Sequence, residues 1–186
     1  MRIPVAAWSH LRLRDCIKPG VRILLVGINP GVRSAITGHH FAGYSNRFWK
    51  LLYESGLVPE PITYLDDRRL PEWGFGVTNL IARPSPGIDS LGRDEYLDGW
   101  KTLAGKVRRY RPEFLALVGV TLYRAVLPLL DPEGSRGRAR SRPFGVQPYV
   151  VHNARIFVLP NPSGRNANYT YAEMLAAYRG LKAVVP

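Results

Sequence analysis

At 186 residues with 46% hydrophobic content, the chain has the size of one domain and enough apolar material for a core, which excludes global disorder. No apolar run approaches the ~18 residues that span a bilayer, and the single cysteine, Cys16, excludes both a disulfide framework and a cysteine-based zinc site. Lys and Arg number 26 against 14 Asp and Glu, and the formal net charge of +12 points to a polyanionic partner, most simply nucleic acid.

The N-terminus alternates basic and apolar residues without a signal-peptide core, so a reducing, cytoplasmic, nucleoid-associated protein is expected. Arg22 to Ile28 reads as a buried strand, apolar without alternation. Gly31 to Tyr44, rich in Gly, Ser, Thr and His, reads as a long loop. Phe48, Leu51, Leu52 and Ser55 have helical spacing, and Gly56 ends that helix. Pro59 to Trp73 looks irregular, and Phe75 to Ile81 is a short strand. Leu97, Trp100, Ala104 and Val107 form one stripe, which predicts an amphipathic helix over Arg93 to Tyr110. Phe114 to Val118 is a second buried strand, followed by a helix from Thr121 to Leu130. Ile156 to Leu159 is a strand, and Tyr171 to Leu181 a closing helix. Strands alternating with helices predict a parallel sheet covered on both faces, with sites at the carboxyl ends of the strands.

Two loops leave strand ends and carry unusual polar residues. In Gly27-Ile28-Asn29-Pro30-Gly31, Pro30 fixes one φ angle and Asn29 sits rigidly at the strand end. Its amide both donates and accepts, which suits a held water but not a strong base. An ordinary Asn-Pro turn fits the same pentapeptide. Asn161-Pro162-Ser163-Gly164-Arg165-Asn166 is a second rigid turn, and the two would face each other across one crevice. Residues 134–142 are a low-complexity stretch read as a flexible loop. Its Arg136, Arg138, Arg140 and Arg142 are either a solvated surface or non-specific phosphate contacts. The four histidines lack a clustered acid, so no metal site is expected, and Ser163 with His152 lacks nucleophile-elbow spacing.

Together with Gly38-His39-His40-Phe41, Asn46-Arg47-Phe48-Trp49-Lys50, Gly76-Val77-Thr78-Asn79-Leu80 and Phe144-Gly145-Val146-Gln147-Pro148, these loops make the chain resemble the mismatch-specific uracil/thymine DNA glycosylases. The likeness runs from about Asp15 to Leu181. His39-His40, Asn79 and Pro86-Gly87 lean toward the thymine-processing branch, and Asn-Pro-Ser-Gly toward the bacterial mismatch-uracil branch. The resemblance implies a three-layer α/β/α fold around a short, mostly parallel four-stranded sheet in the order 2-1-3-4. It implies a monofunctional enzyme that flips uracil, with thymine as a second base, from G:U and G:T mismatches and hydrolyses the glycosidic bond. No cofactor is implied; the partner is mismatched duplex DNA, the protein is a monomer, and an abasic-site endonuclease acts downstream.

Residue by residue, Asn29 matches the water-holding Asn. Phe41 matches the ring stacked on the flipped base, or else is a core aromatic. Asn79 matches a reader of the base edge, or else an Asn closing a strand. His40 matches a pocket contact, or else a satisfied loop histidine. Ile28, Ser34 and Ser85 match pocket-lining positions. Asn161, Ser163, Gly164, Arg165 and Asn166 match the element that enters the duplex. Arg165 stands where the bacterial branch has an apolar Leu. Two rival functions remain at this point: a binding module of the same fold without catalysis, and a glycosylase for another lesion such as a deaminated purine.

Overall fold

The structure is a computed structural model that describes residues 3–134 and 144–185. Arg136, Arg138, Arg140 and Arg142 lie outside the described residues. Five strands, β1 (Ile23–Gly27), β2 (Phe75–Asn79), β3 (Phe114–Val118), β4 (Gly145–Val151) and β5 (Ala154–Leu159), form one sheet in the order β2-β1-β3-β5-β4. β1, β2, β3 and β5 pair in parallel, and β4 runs antiparallel to β5.

The parallel part has the expected order, but the sheet has five strands, not four. The extra strand was hidden by Pro148, which removes a ladder donor and is tolerated only at a sheet edge. β4 occupies such an edge, with its residues alternating in exposure and its register shifted between Val146 and Val150.

β1 and β3 are buried at every position, which is why their apolar runs do not alternate. Successive side chains nevertheless go to opposite faces. Leu25, Ala116 and Phe157 pack with α2 (Phe48–Glu54) and α5 (Tyr171–Val184). Leu24, Val26, Leu115 and Val158 pack with α3 (Arg93–Tyr110) and α4 (Val120–Leu130). The result is the expected α/β/α layering. α3 carries Asp94 and Glu95 in its first turn and Arg108 and Arg109 in its last, matching the helix dipole at both ends.

Two expectations for the connections are corrected. The segment read as a loop from Gly31 contains α1 (Val32–Thr37), closed by Gly38 in the left-handed region at φ 73°. Val32, Ser34, Ile36 and Thr37 are weak helix formers; the helix owes its existence to burial of Ser34 and Ala35. The segment read as irregular holds a 3-10 helix over Tyr64–Trp73, started by a Thr63–Asp66 capping box. It buries Asp67 and Leu70.

Before β1, the chain runs antiparallel along the edge strand β2. Cys16 and Val77 exchange backbone hydrogen bonds of 3.0 and 2.9 Å. Thr78 Oγ1 donates to Asp15 at 2.5 Å, and Lys106 reaches the same carboxylate at 2.7 Å. This strap covers a sheet edge that would otherwise be open.

Candidate active site

A cleft of about 700 Å³ opens at the carboxyl ends of the strands. The loops after β1 and β5 both line it, with Val118 at the end of β3 between them. They therefore face one crevice as expected, although their strands are not adjacent.

The half-buried Asn29 is held through its amide nitrogen. Nδ2 donates to Ser85 Oγ at 2.8 Å, with the Pro30 and Arg83 carbonyls at 3.2 and 3.3 Å. Ser85 Oγ in turn donates to the Gly87 carbonyl at 2.6 Å. A hydroxyl has one proton, so the direction of this chain is set: Asn29 must donate to Ser85. Oδ1 is left as an acceptor that no described residue occupies. Ser85 is buried, and its backbone pairs with the first loop, Ser85 N donating to the Pro30 carbonyl at 3.1 Å. Ser85 thus lines the cleft and also aims Asn29.

Gly27 and Asn79 are register partners at the ends of β1 and β2. A Cβ at Gly27 would lie 2.6 Å from Asn79 Oδ1 and 3.5 Å from Phe41 Cζ. The missing side chain is what lets the Asn79 amide and the Phe41 ring converge. Phe41 stacks on Phe48 at 3.9 Å between ring centres and 20° between planes. Its φ of 50° is in the left-handed region, which is costly for a bulky residue and persists only where the surroundings impose it. One face of the ring is covered by Phe48, and the residue lines the cleft. Ile28 lines the cleft too, as does Ser34, whose Oγ accepts from Ala42 N at 3.0 Å.

His40 does not line the cleft. It is 1% exposed, and its Nδ1 donates to Asp67 Oδ2 at 3.1 Å. Of the alternative reading, a satisfied loop histidine, only half fits: Nδ1 is bonded, whereas Nε2 is buried without a hydrogen-bond partner among the described residues. The ring turns inward because Asp67, 27 residues away, offers it a buried carboxylate.

In the second loop, Asn161 Oδ1 accepts from Ser163 N at 3.0 Å, and Asn166 Nδ2 donates to the Asn161 carbonyl at 2.8 Å. These bonds stiffen the turn and leave Arg165 exposed at the rim. Asn161 and Ser163 line the cleft; Gly164 and Asn166 do not. Gly164 instead packs against Ser45, whose carbonyl would lie 2.7 Å from an added Cβ. Arg47 N donates to the Pro162 carbonyl at 2.9 Å, so the loop is tied to the start of α2.

The cleft also takes Leu13 from the strap, and Arg33 and Tyr44 near Phe41. The Arg33 guanidinium lies 3.7 Å from the Tyr44 ring centre, and Tyr44 is 89% exposed. The sequence reading missed these residues. Arg33 and Tyr44 lay in a segment read only as a loop, and Leu13 becomes a wall only because the strap docks on β2. Asp89 is the only carboxylate among the described lining residues, against Arg33 and Arg165.

Beneath Phe41, Cys16, His40 and Asp67 bring ligand-type atoms within 4.8 Å of one another. The acid absent from the histidine pattern is therefore supplied by Asp67. Its oxygens already accept from His39 Nδ1 at 2.9 Å and from His40 N and Nδ1 at 2.9 and 3.1 Å. Hydrogen bonding satisfies the Asp67 carboxylate without a cation. Burial raises the pKa of the Cys16 thiol to about 12, with the Asp67 charge adding to it, so Cys16 stays protonated.

Burial opposes the charged form of Asp67, but the hydrogen bonds from His40 and His39 outweigh it and lower its pKa from 3.8 to about 2. A depressed native pKa stabilises the fold above the unfolded value and loses that contribution as pH falls through the folded one. The carboxylate should therefore contribute roughly 2–3 kcal/mol above about pH 4, fading toward about pH 2. Urea unfolding across this window should show the loss in the parent and a flatter dependence in Asp67→Asn. Identical slopes would rule it out.

The family model for the uracil DNA glycosylase superfamily matches residues 15–182. The chain is 40% identical over 150 residues to the G/U mismatch-specific uracil DNA glycosylase of Schizosaccharomyces pombe, covering 79% of this chain and 45% of that protein. It thus spans less than half the length of that curated relative. The solution NMR structure of a candidate uracil DNA glycosylase from Methanosarcina acetivorans superposes with a TM-score of 0.60 at 18% identity, over 92% of this chain and 98% of that one, a likeness of fold. With its cleft at the strand ends and a family match over nearly its whole length, the chain belongs to the uracil DNA glycosylase superfamily.

Proposed function

We propose that this protein is a monofunctional DNA glycosylase that excises uracil, and thymine as a second base, opposite guanine in duplex DNA. The observation that carries the reading is the one-way chain from Asn29 through Ser85 to Gly87, which leaves Asn29 Oδ1 as a fixed acceptor. A flipped base stacks on Phe41 with its Watson–Crick edge toward the Asn79 amide, which both donates and accepts. The C1′–N1 bond breaks with its electron pair going to N1, and loop backbone N–H groups stabilise the departing anion. Water held by Asn29 then bonds to C1′ and gives up a proton to solvent. A sugar cation needs a placed nucleophile more than a strong base, so an amide suffices. No lysine lies among the described cleft residues to form a Schiff base, which supports a hydrolytic step without strand cleavage.

The mismatch-specific relative supports the substrate class, and the +12 charge supports a nucleic-acid partner. The protein acts as a monomer in the cytoplasm, and its abasic product passes to an abasic-site endonuclease. The test is single-turnover cleavage of duplexes carrying one U, T or hypoxanthine opposite G, with alkali added afterwards. Excision of U, and more slowly T, is expected. Binding without excision would instead indicate a catalytically inactive module, and preference for hypoxanthine a deaminated-purine enzyme.

Arg165 fills the gap left by the flipped base, its stem packing between bases and its guanidinium stacking or reaching a phosphate. Arg165→Ala should lower excision from paired duplex far more than from single-stranded uracil, where flipping costs little. It should also speed product release. Equal losses on both substrates would move the wedge role elsewhere in the loop.

A further inference from the structure

We propose that Asp67 is the residue that positions Phe41 for base stacking, acting through the two histidines that precede it. The inference rests on the stacking role given to Phe41 above. Asp67 is fully buried in the 3-10 helix and does not line the cleft. Both of its oxygens are committed to residues 39 and 40. His39 Nδ1 donates to Oδ1 at 2.9 Å, and the backbone and ring of His40 donate to Oδ2 at 2.9 and 3.1 Å. The next residue is Phe41, at φ 50°. On its other side, Ala42 N donates to Ser34 Oγ at 3.0 Å, and Arg33 Nε donates to the Ala42 carbonyl at 2.7 Å. The left-handed residue is thus pinned from both directions, by α1 in front and by Asp67 behind.

Asp67 is the pin whose loss would release the ring. His40 Nε2 is buried without a hydrogen-bond partner among the described residues, and beyond Asp67 the ring's one polar contact among them is the weak Cys16 thiol at 3.9 Å. Without the carboxylate, the His40 ring and backbone N–H lose their anchors together. Among the described residues, only the Ala42 bonds to α1 and the stack on Phe48 then hold the left-handed conformation, and relaxation to an ordinary one would swing the aromatic ring away from Phe48 and Gly27. His39 also packs edge-on against Tyr64, 5.9 Å between ring centres, so it keeps a partial anchor that His40 lacks.

The experiment is a double-mutant cycle on the full chain, with Asp67→Ala, Phe41→Leu and the pair. Single-turnover excision is measured on a G:U duplex at saturating protein, with folded fraction from circular dichroism. Asp67→Ala should slow excision by ~10- to 10²-fold, as a misplaced binding group does. Phe41→Leu should cost much less in that background than in the parent, because the ring is already misplaced. Asp67→Asn keeps one acceptor oxygen and should recover part of the rate; it also serves if the Ala variant fails to fold. Additive losses, or rates that follow the folded fraction alone, would overturn the positioning role. If the parent excises uracil but Phe41→Leu is silent, the stacking role fails and this inference with it. If the parent excises nothing, the functional reading itself fails.

Discussion

Asn29→Ala is expected to lower single-turnover excision of uracil by ~10²-fold or more, the size of effect seen when one preorganised polar contact to a transition state is removed. Duplex affinity should be nearly intact, because Asn29 is half-buried at the strand end and makes its contacts within the protein. Asn29→Asp refines the test. It keeps an oxygen for the water and adds basicity, but it replaces the Nδ2 donor with an acceptor facing Ser85 Oγ. Ser85 would have to turn its proton away from Gly87 to satisfy it. If orientation governs the step, Asp should be a poor substitute at neutral pH. Parent-like rates in Asn29→Ala would remove the residue from the mechanism.

Gly27→Ala should be nearly as damaging as Asn79→Ala, although it adds only a methyl group. The new Cβ would sit 2.6 Å from Asn79 Oδ1, too close for any real contact, and 3.5 Å from the Phe41 ring edge. β1 is buried and hydrogen-bonded on both sides, so the backbone cannot retreat and the amide must move. An unread base edge in a dry pocket loses ~1–3 kcal/mol, so both variants should lose roughly 10- to 10²-fold in excision of uracil and thymine. Full activity in Gly27→Ala would show that Asn79 is free to move and does not read the base. Activity retained in Asn79→Ala would reduce it to a strand cap.

Much of this fold is legible in the chain alone. α3 was bounded at Arg93 and Tyr110 by its apolar stripe, and β3 at Phe114 and Val118 by its continuous apolar run. Those signals are local, because burial of a whole strand or of one helix face leaves its period in the residues themselves. The two polar loops were equally visible, since Asn-Pro and Pro-Ser-Gly punctuate the ends of apolar runs. The first of them put Asn29 at a strand end; Asn79 was singled out only by the family resemblance, and register pairing with Gly27 put it in the cleft.

Contacts between distant segments decided the rest. α1 has residues that disfavour a helix and forms because Ser34 and Ala35 are buried. β4 carries a proline that only an edge position tolerates. His40 turned away from the cleft because Asp67 lies beneath it, and Leu13 entered the cleft because the strap pairs with Val77. Composition, periodicity and turn residues thus determined that there would be a parallel sheet with polar loops at its ends. The direction of each side chain at those ends depended on hydrogen-bond partners 27 to 61 residues away, which no local pattern encodes: the buried carboxylate for His40, the edge strand for the strap, the Ser85 hydroxyl for Asn29.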